Sequence, residues 1–159
     1  MSLDGAISGS TFDGVTFERG ISVNCQAKTA APPLVLTSAQ ILSPDIYNGF
    51  RVDGSGYCNL DVSGSTVTNL MLSGQVSNLK IRSSTVIGGR ANDGNQSRPR
   101  GGSCTSCDFN GTVFSNFDFS VFTFAGADVT GMRLDGSKGF PGAVSGLGTV
   151  AGLETVTGY

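Results

Sequence analysis

The sequence predicts an all-β fold: a short β-helix with loop excursions, followed by an extended C-terminal arm. Three observations predict it. A large apolar residue recurs at every fifth position from Cys107 to Gly136, weaker blocks with this period span residues 5–24 and 58–87, and 24 of the 159 residues are glycine. A period of five fits neither an α-helix, which repeats about every 3.6 residues, nor a single strand, which repeats every second residue. A short fixed period indicates a solenoid, and the length suits one domain.

The clearest block divides into six units of five residues, CDFNG, TVFSN, FDFSV, FTFAG, ADVTG and MRLDG. A large apolar residue occupies the centre of every unit. We predict that these side chains form the interior of one stack: Phe109, Phe114, Phe119, Phe124, Val129 and Leu134.

These units resemble the pentapeptide-repeat family, in which a small residue is followed by Asp or Asn, Leu or Phe, a polar residue and often Gly. The resemblance implies a right-handed quadrilateral β-helix with one unit on each side and four units in each coil. Residues twenty apart should then stack, with Phe109 beneath Val129 and Asp108 beneath Asp128. The resemblance therefore makes a prediction that the register of the strands can test.

Phe117, Phe122 and Met132 depart from the family pattern, because they occupy the position where a small residue normally points inward. Their side chains either swell the coil or turn outward. Outward rings would form an exposed apolar patch, and such patches mark interfaces. We therefore treat Phe117 and Phe122 as candidate interface residues.

The weaker blocks extend the β-helix toward the N-terminus. The first places Ile7, Phe12 and Phe17 at central positions and amounts to one coil. In the block after Tyr57 one residue is missing between the second and third copies, which predicts a slip in register. Residues 1–141 are thus expected to form a single interrupted domain.

Two stretches lack the fivefold order and are predicted to be loops. The first covers about residues 30–56 and contains Pro32-Pro33 and Ser43-Pro44, and the second covers residues 88–102. The second carries Arg90, Arg98 and Arg100 among Gly, Asn and Ser. These arginines could contact a phosphate or a partner, but a solvated loop is the preferred interpretation.

The segment 142–159 is predicted to be an extended arm. A step of three drifts around an α-helix by about 60° each time, whereas a threefold extended conformation keeps every third residue on one edge. That apolar edge is expected to dock on another subunit instead of on the β-helix of its own chain. The residues of this candidate interface are Val144, Leu147, Val150, Leu153, Val156 and Tyr159.

The side chains give little support for catalysis. The chain has no histidine, which removes the commonest general base and metal ligand, so we expect no catalytic, cofactor or metal site. The four cysteines, Cys25, Cys58, Cys104 and Cys107, are predicted to be reduced thiols, and the Cys104-x-x-Cys107 pair is half of a zinc site at most.

Two carboxylates of the regular block are candidates for a cation site or a catalytic site. Asp108 and Asp128 should stack about 4.8 Å apart, as neighbouring strands do, and could bind a cation or carry acid/base chemistry. The alternative, which we prefer, is that Asp belongs to the repeat pattern itself.

Charge and composition favour a non-enzymatic assembly protein. With 10 basic and 12 acidic residues the chain has neither the basic surface of a nucleic-acid binder nor a strongly acidic one, and no membrane segment or secretory signal is evident. We expect cytoplasmic synthesis and self-association, for example as a trimer. The most specific hypothesis is a phage virion component, such as a capsid decoration or tail protein, located in the virion.

Other functions remain open. The family resemblance implies a DNA mimic that inhibits DNA gyrase, although such mimics are long and strongly acidic rods. An effector or toxin-associated module is a further alternative. A β-helical carbohydrate enzyme is another, and it would need carboxylates along one groove.

Overall fold

The computed structural model describes residues 2–3, 9–45, 49–92, 102–120, 122–140 and 152–158. In these ranges the chain is an all-β parallel β-helix, with one 3-10 helix at Leu153–Thr155. Every pair of named strands is parallel. The strands are β1 Ser2–Leu3, β2 Thr11–Asp13, β3 Thr16–Phe17, β4 Ser22–Cys25, β5 Leu34–Thr37, β6 Gln40–Ile41, β7 Arg51–Gly54, β8 Tyr57–Ser63, β9 Thr66–Arg82, β10 Thr85–Asn92, β11 Gly102–Thr105, β12 Val113–Ser115, β13 Phe122–Ala125 and β14 Arg133–Asp135.

The strands stack into four walls, which we number in chain order. Wall 1 contains β2, β5, β8 and the end of β9, and wall 2 contains β3, β6, the start of β9, β10, β12 and β14. Wall 3 contains β1, β4, β7 and the parts of β9 and β10 that pair with them. Wall 4 contains β11, β13 and the segment of β9 around Val76. Strand β9 passes through all four walls and so traces one complete coil.

Residues with positive φ turn the chain at the corners. After wall 1 this conformation recurs in coil after coil, and the residues that adopt it are Gly14, Ser38, Gly64, Ser83, Gly111 and Gly131. Glycine takes it without steric cost, which explains why the fifth residue of a unit is so often Gly.

The stacking of residues twenty apart is confirmed. Phe114 pairs with Leu134, and Asp108 forms a parallel bridge with Asp128. The predicted slip is confirmed as well, because Thr66 pairs with Thr85 at an offset of 19 residues. The structure places all six central residues, from Phe109 to Leu134, in the interior with at most 1% of their surface exposed.

The prediction that Phe117 and Phe122 lie at an interface is wrong. Both side chains are 1% exposed, and so is Met132. The ring of Phe117 lies 4.6 Å from that of Phe119, and the ring of Phe122 lies 5.5 Å from that of Phe124. The coil interior accepts a large residue at this position because tilted and edge-on rings fill the space between the walls.

The prediction of a loop over residues 30–56 is also wrong in part, because β5, β6 and β7, ten residues in all, lie there. Leu36 pairs with Val62 at an offset of 26 residues, and Phe12 pairs with Leu36 at an offset of 24. The extra residues interrupt the fivefold period without interrupting the walls. In the second predicted loop, β10 continues to Asn92 and β11 begins at Gly102, and residues 93–101 lie outside the described part.

The C-terminal segment 152–158 packs on the β-helix of its own chain, so the prediction that it docks elsewhere is wrong there. Leu134 donates its N–H to the carbonyl of Thr157 at 2.8 Å, and Val156 is buried in the core. The segment satisfies the free edge of β14, which would otherwise expose unpaired backbone groups. Leu153 starts the 3-10 helix, and Val144, Leu147, Val150 and Tyr159 lie outside the described residues.

The cysteines are paired, which corrects the prediction of reduced thiols. Disulfides join Cys25 to Cys58 and Cys104 to Cys107. Cys25 and Cys58 are 33 positions apart in sequence, and only the stacking of the coils brings them together.

Candidate functional site: a charged pocket on wall 1

The outer face of wall 1 carries a ladder of polar and charged residues. Asp61 is in register with Lys80, Lys80 with Asp108, and Asp108 with Asp128. Side chains alternate along a strand, so these residues point away from the buried central positions, although Asp61 itself is only 8% exposed. Part of this ladder borders an open pocket of about 380 Å³. Its lining residues are Ser63, Arg82, Ser83, Asp108, Asn110 and Asp128.

Arg82 is the electrostatic centre of this pocket. Its Nη2 lies 2.6 Å from Oδ2 of Asp61, and its Nε lies 3.8 Å from Oδ2 of Asp108. Asp61 also accepts a hydrogen bond from the Ser63 hydroxyl at 2.5 Å. A cation therefore stands among the carboxylates of the pocket and reduces its negative charge.

Asp108 and Asp128 each accept hydrogen bonds within their own turn. Oδ1 of Asp108 accepts the N–H of Asn110 at 3.1 Å, and Oδ1 of Asp128 accepts the N–H of Thr130 at 2.9 Å and its hydroxyl at 2.6 Å. Each bond closes a local turn of the type that Asp favours. Asp118 on wall 3 repeats the arrangement with Ser120. The geometry thus supports the repeat-pattern interpretation of the two carboxylates.

Hydrogen bonding also sets the acidity of these groups. The hydroxyl and N–H of Thr130 lower the pKa of Asp128 below its usual value, and they outweigh the opposing effect of burial. For Asp118, burial raises the pKa, but hydrogen bonds from Ser120 and the ion pair with Lys138 outweigh it, and the net change is a lowering. Both groups stay ionised at neutral pH, so neither is prepared to act as a general acid.

Asp128→Asn should make the protein less stable at neutral pH, with a difference that shrinks as the solution becomes acidic. A carboxylate with a lowered pKa in the folded state adds stability above its unfolded pKa of about 3.9, and that stability is lost as the pH falls through the folded value. Thermal melting followed by circular dichroism between neutral pH and pH of about 3 would measure it. A difference in Tm that is independent of pH would contradict the role given to Thr130.

The other candidate residues do not join this pocket. Arg90 lies on the outer side of wall 3, in register with Met71 and Asp118, while Arg98 and Arg100 lie outside the described residues. Cys104 and Cys107 are buried and bonded to each other. Over the described ranges, no three His, Cys, Asp or Glu side chains are grouped as metal ligands.

The outer face of wall 2 is a surface that the sequence analysis missed. The inward residues Val67, Val86 and Phe114 are fully buried, so their neighbours point outward. Ile87 is 45% exposed and lies between Thr68 and Ser115, which pair with it on either side. We call this uncharged surface the wall 2 patch; its residues are Thr66, Thr68, Thr85, Ile87, Val113 and Ser115. The alternation of outward and inward residues in Thr66-Val-Thr68 and Thr85-Val-Ile87 is the sequence signal that could have predicted this surface.

Comparisons with known proteins add no relative: no family model matches the chain, and no curated protein matches it significantly. Within the described residues the structure contains no helix of the length and apolarity needed to cross a membrane.

Proposed function

We propose that this chain is a non-enzymatic structural protein that works by assembling with other protein subunits, first of all with copies of itself. The wall 2 patch is the observation that carries the proposal. It holds Ile87, one of two large apolar side chains that are exposed in the described part of the chain; the other is Tyr57.

The patch suits protein contact for physical reasons. It contains no charged side chain, so covering it requires no desolvation of ions, which is the main cost of burying polar surface. The Ser115 hydroxyl beside Ile87 can bond across an interface while the isoleucine supplies apolar contact, whereas the Thr68 hydroxyl is already bonded to the backbone of Ser43. A centre depleted of charge with polar residues around it is the usual composition of an interface.

The charged residues of wall 2 that lie nearest to the patch are toward the two ends of the wall. Glu18 lies in the first coil, and Arg133 pairs with Asp135 at 3.0 Å in the last described strand of the wall. Charges at the rim of a patch influence register and choice of partner more than affinity. The partner that we propose for the patch is a second copy of the chain.

The charge pattern of wall 1 gives less support to the DNA-mimic alternative. A mimic must present a run of negative charge in the place of phosphates. On this wall Lys80 and Arg82 interrupt the carboxylates, and Arg82 is bonded to Asp61. Assembly remains the function that we propose.

A virion component, such as a capsid decoration or tail protein, is the specific form of assembly that we propose. It is supported by the low charge, the richness in Gly, Ser and Thr and the small β-helix. The genes next to the coding sequence provide the test. Capsid or portal genes beside it would support this form, and an antibiotic-resistance operon would argue for the gyrase inhibitor instead.

Ile87→Arg is expected to convert the oligomer to a monomer, because it places an unpaired charge at the centre of the wall 2 patch. Size-exclusion chromatography with light scattering would measure the mass of both proteins at equal concentration. Thr105→Arg is the matched control, since Thr105 is exposed on wall 4 and outside the patch. A wild type that is monomeric at its highest soluble concentration, or an Ile87→Arg variant that keeps the oligomer, would overturn the proposal.

A further inference from the structure

We propose that the β-helix opens stepwise on reduction: its first coil, residues 9–27, is held in place by the Cys25–Cys58 disulfide and is released before the rest of the fold. This inference is independent of self-association through wall 2. It concerns the redox state in which the protein is native and the part of the chain that responds to it.

The first half of the first coil, which holds β2 and β3, is less well buried than its second half, where Ile21, Val23 and Cys25 are buried. Phe12, Val15 and Phe17 are only partly buried, whereas the central residues of later coils are buried completely. Within the described residues β2 pairs with β5 alone and β3 with β6 alone. Terminal elements with few apolar contacts open at lower free energy than the centre of a fold.

The disulfide, whose two cysteines belong to the buried core, lies beside a close approach of three backbones. A Cβ on Gly54 would stand 2.3 Å from the carbonyl oxygen of Cys25, and a Cβ on Gly74 would stand 2.1 Å from the carbonyl oxygen of Gly54. At these two glycines three successive coils therefore approach one another closely, backbone to backbone. The bond from Cys25 in β4 to Cys58 in β8 ties the coils together at this point.

The second disulfide has a different position and a different effect. Cys104 and Cys107 are separated by two residues, so their bond constrains one corner and does not tie distant segments together. Both are at most 2% exposed, and β11 is paired on both sides, with β9 and β13. A reductant reaches these sulfur atoms only when the middle of the stack opens.

Reduction of the first bond needs an external dithiol, such as dithiothreitol. One thiolate of the reagent attacks a sulfur of the Cys25–Cys58 pair, its second thiol displaces the mixed disulfide, and the reagent leaves as a cyclic disulfide. Two protein thiols are formed and two electrons are transferred. Cys58, at 7% exposed, is more accessible than Cys25, which is fully buried. Once this disulfide is reduced, opening of the first coil leaves β5 and β6 with free edges.

Timed reduction of the full chain under native conditions tests the proposal. Samples are quenched by alkylation, the modified cysteines are identified by mass spectrometry, and trypsin is added in parallel. Arg19 and Lys28 are the basic residues among the first fifty; Arg19 lies in the first coil and Lys28 directly follows it, so cleavage at both reports on release of the coil. The variant Cys25→Ser/Cys58→Ser should be cut there without reductant, and Cys104→Ser/Cys107→Ser is the matched control that should not.

We expect Cys25 and Cys58 to be alkylated first, while Cys104 and Cys107 stay bonded. Cleavage at Lys28, which lies inside the loop that the bond closes, should rise on the order of a hundredfold, because a crosslink closing a long loop suppresses the open population by about that factor. Cleavage at Arg19, which precedes Cys25, should rise with it. Four free thiols in protein isolated without reductant would overturn the proposal. So would simultaneous reduction of both disulfides, or first-coil cleavage that does not change on reduction.

Discussion

Replacing Phe119 with alanine should lower the free energy of unfolding by about 3 to 5 kcal/mol, the usual cost of emptying a buried aromatic site. Phe119 is fully buried, and its ring lies within 5.8 Å of four other rings, measured between centroids. Those neighbours are Phe114, Phe117, Phe124 and Phe140. Edge-on contacts between rings add to the loss of buried area, so the effect should lie toward the upper end of this range. Urea unfolding followed by circular dichroism would measure it.

Phe119→Leu is the matched control, because it keeps most of the apolar volume and should cost less than about 1.5 kcal/mol. A loss of less than about 1 kcal/mol in the alanine variant would mean that this ring does not pack in the interior. It would remove the basis for placing the centres of the repeats inside the coil.

Gly74→Ala should destabilise the protein by about 4 kcal/mol or more, or prevent folding. Gly74 has φ of 80°, and an added Cβ would stand 2.1 Å from the backbone oxygen of Gly54. A backbone oxygen cannot move aside as a flexible side chain can. The variant must therefore separate two coils in the middle of the stack, where their strands are hydrogen-bonded to each other.

Gly64→Ala is the matched control, because it measures the cost of the left-handed backbone conformation without the steric clash that an added Cβ causes at Gly74. Gly64 also has positive φ, 58°, but an added Cβ would meet nothing within 4 Å. This control should lose about 1 to 2 kcal/mol, the cost of holding alanine in a left-handed conformation. Equal losses in the two variants, measured by thermal melting of both, would show that the close approach of the coils at Gly74 is absent.

The regular part of the fold could be read from the sequence because its information is local. From Cys107 to Gly136 no residue is inserted or missing, so the period of five predicted both the stacking of Phe114 on Leu134 and the bridge of Asp108 to Asp128. The slip by one residue could also be read, since it leaves the period visible on both sides.

The irregular parts could not be read in this way. Insertions in the coil from Leu36 to Val62 hide the period, although inward residues still occur at each wall. A solenoid tolerates such insertions because each strand pairs only with its neighbours in the stack, whatever the length of chain between them. Prolines and glycines in residues 30–56 therefore indicated turns correctly but did not exclude strands between the turns.

The direction in which Phe117 and Phe122 point depends on the space between walls that lie far apart in sequence. Packing is a property of the assembled interior, so no local pattern determines it. The same holds for the wall 2 patch, where Ile87 becomes a neighbour of Thr68 and Ser115 only after the coils stack.

By itself the sequence determined that this chain is an all-β solenoid and which side chains of the regular repeats form its core. Tertiary structure decided the pairing of Cys25 with Cys58, the burial of Phe117 and Phe122, and the return of residues 152–158 to the last coil. The reason is physical. Periodicity encodes the contacts that recur along a chain, whereas a disulfide, a filled interior and a covered edge depend on which distant segments come to lie side by side.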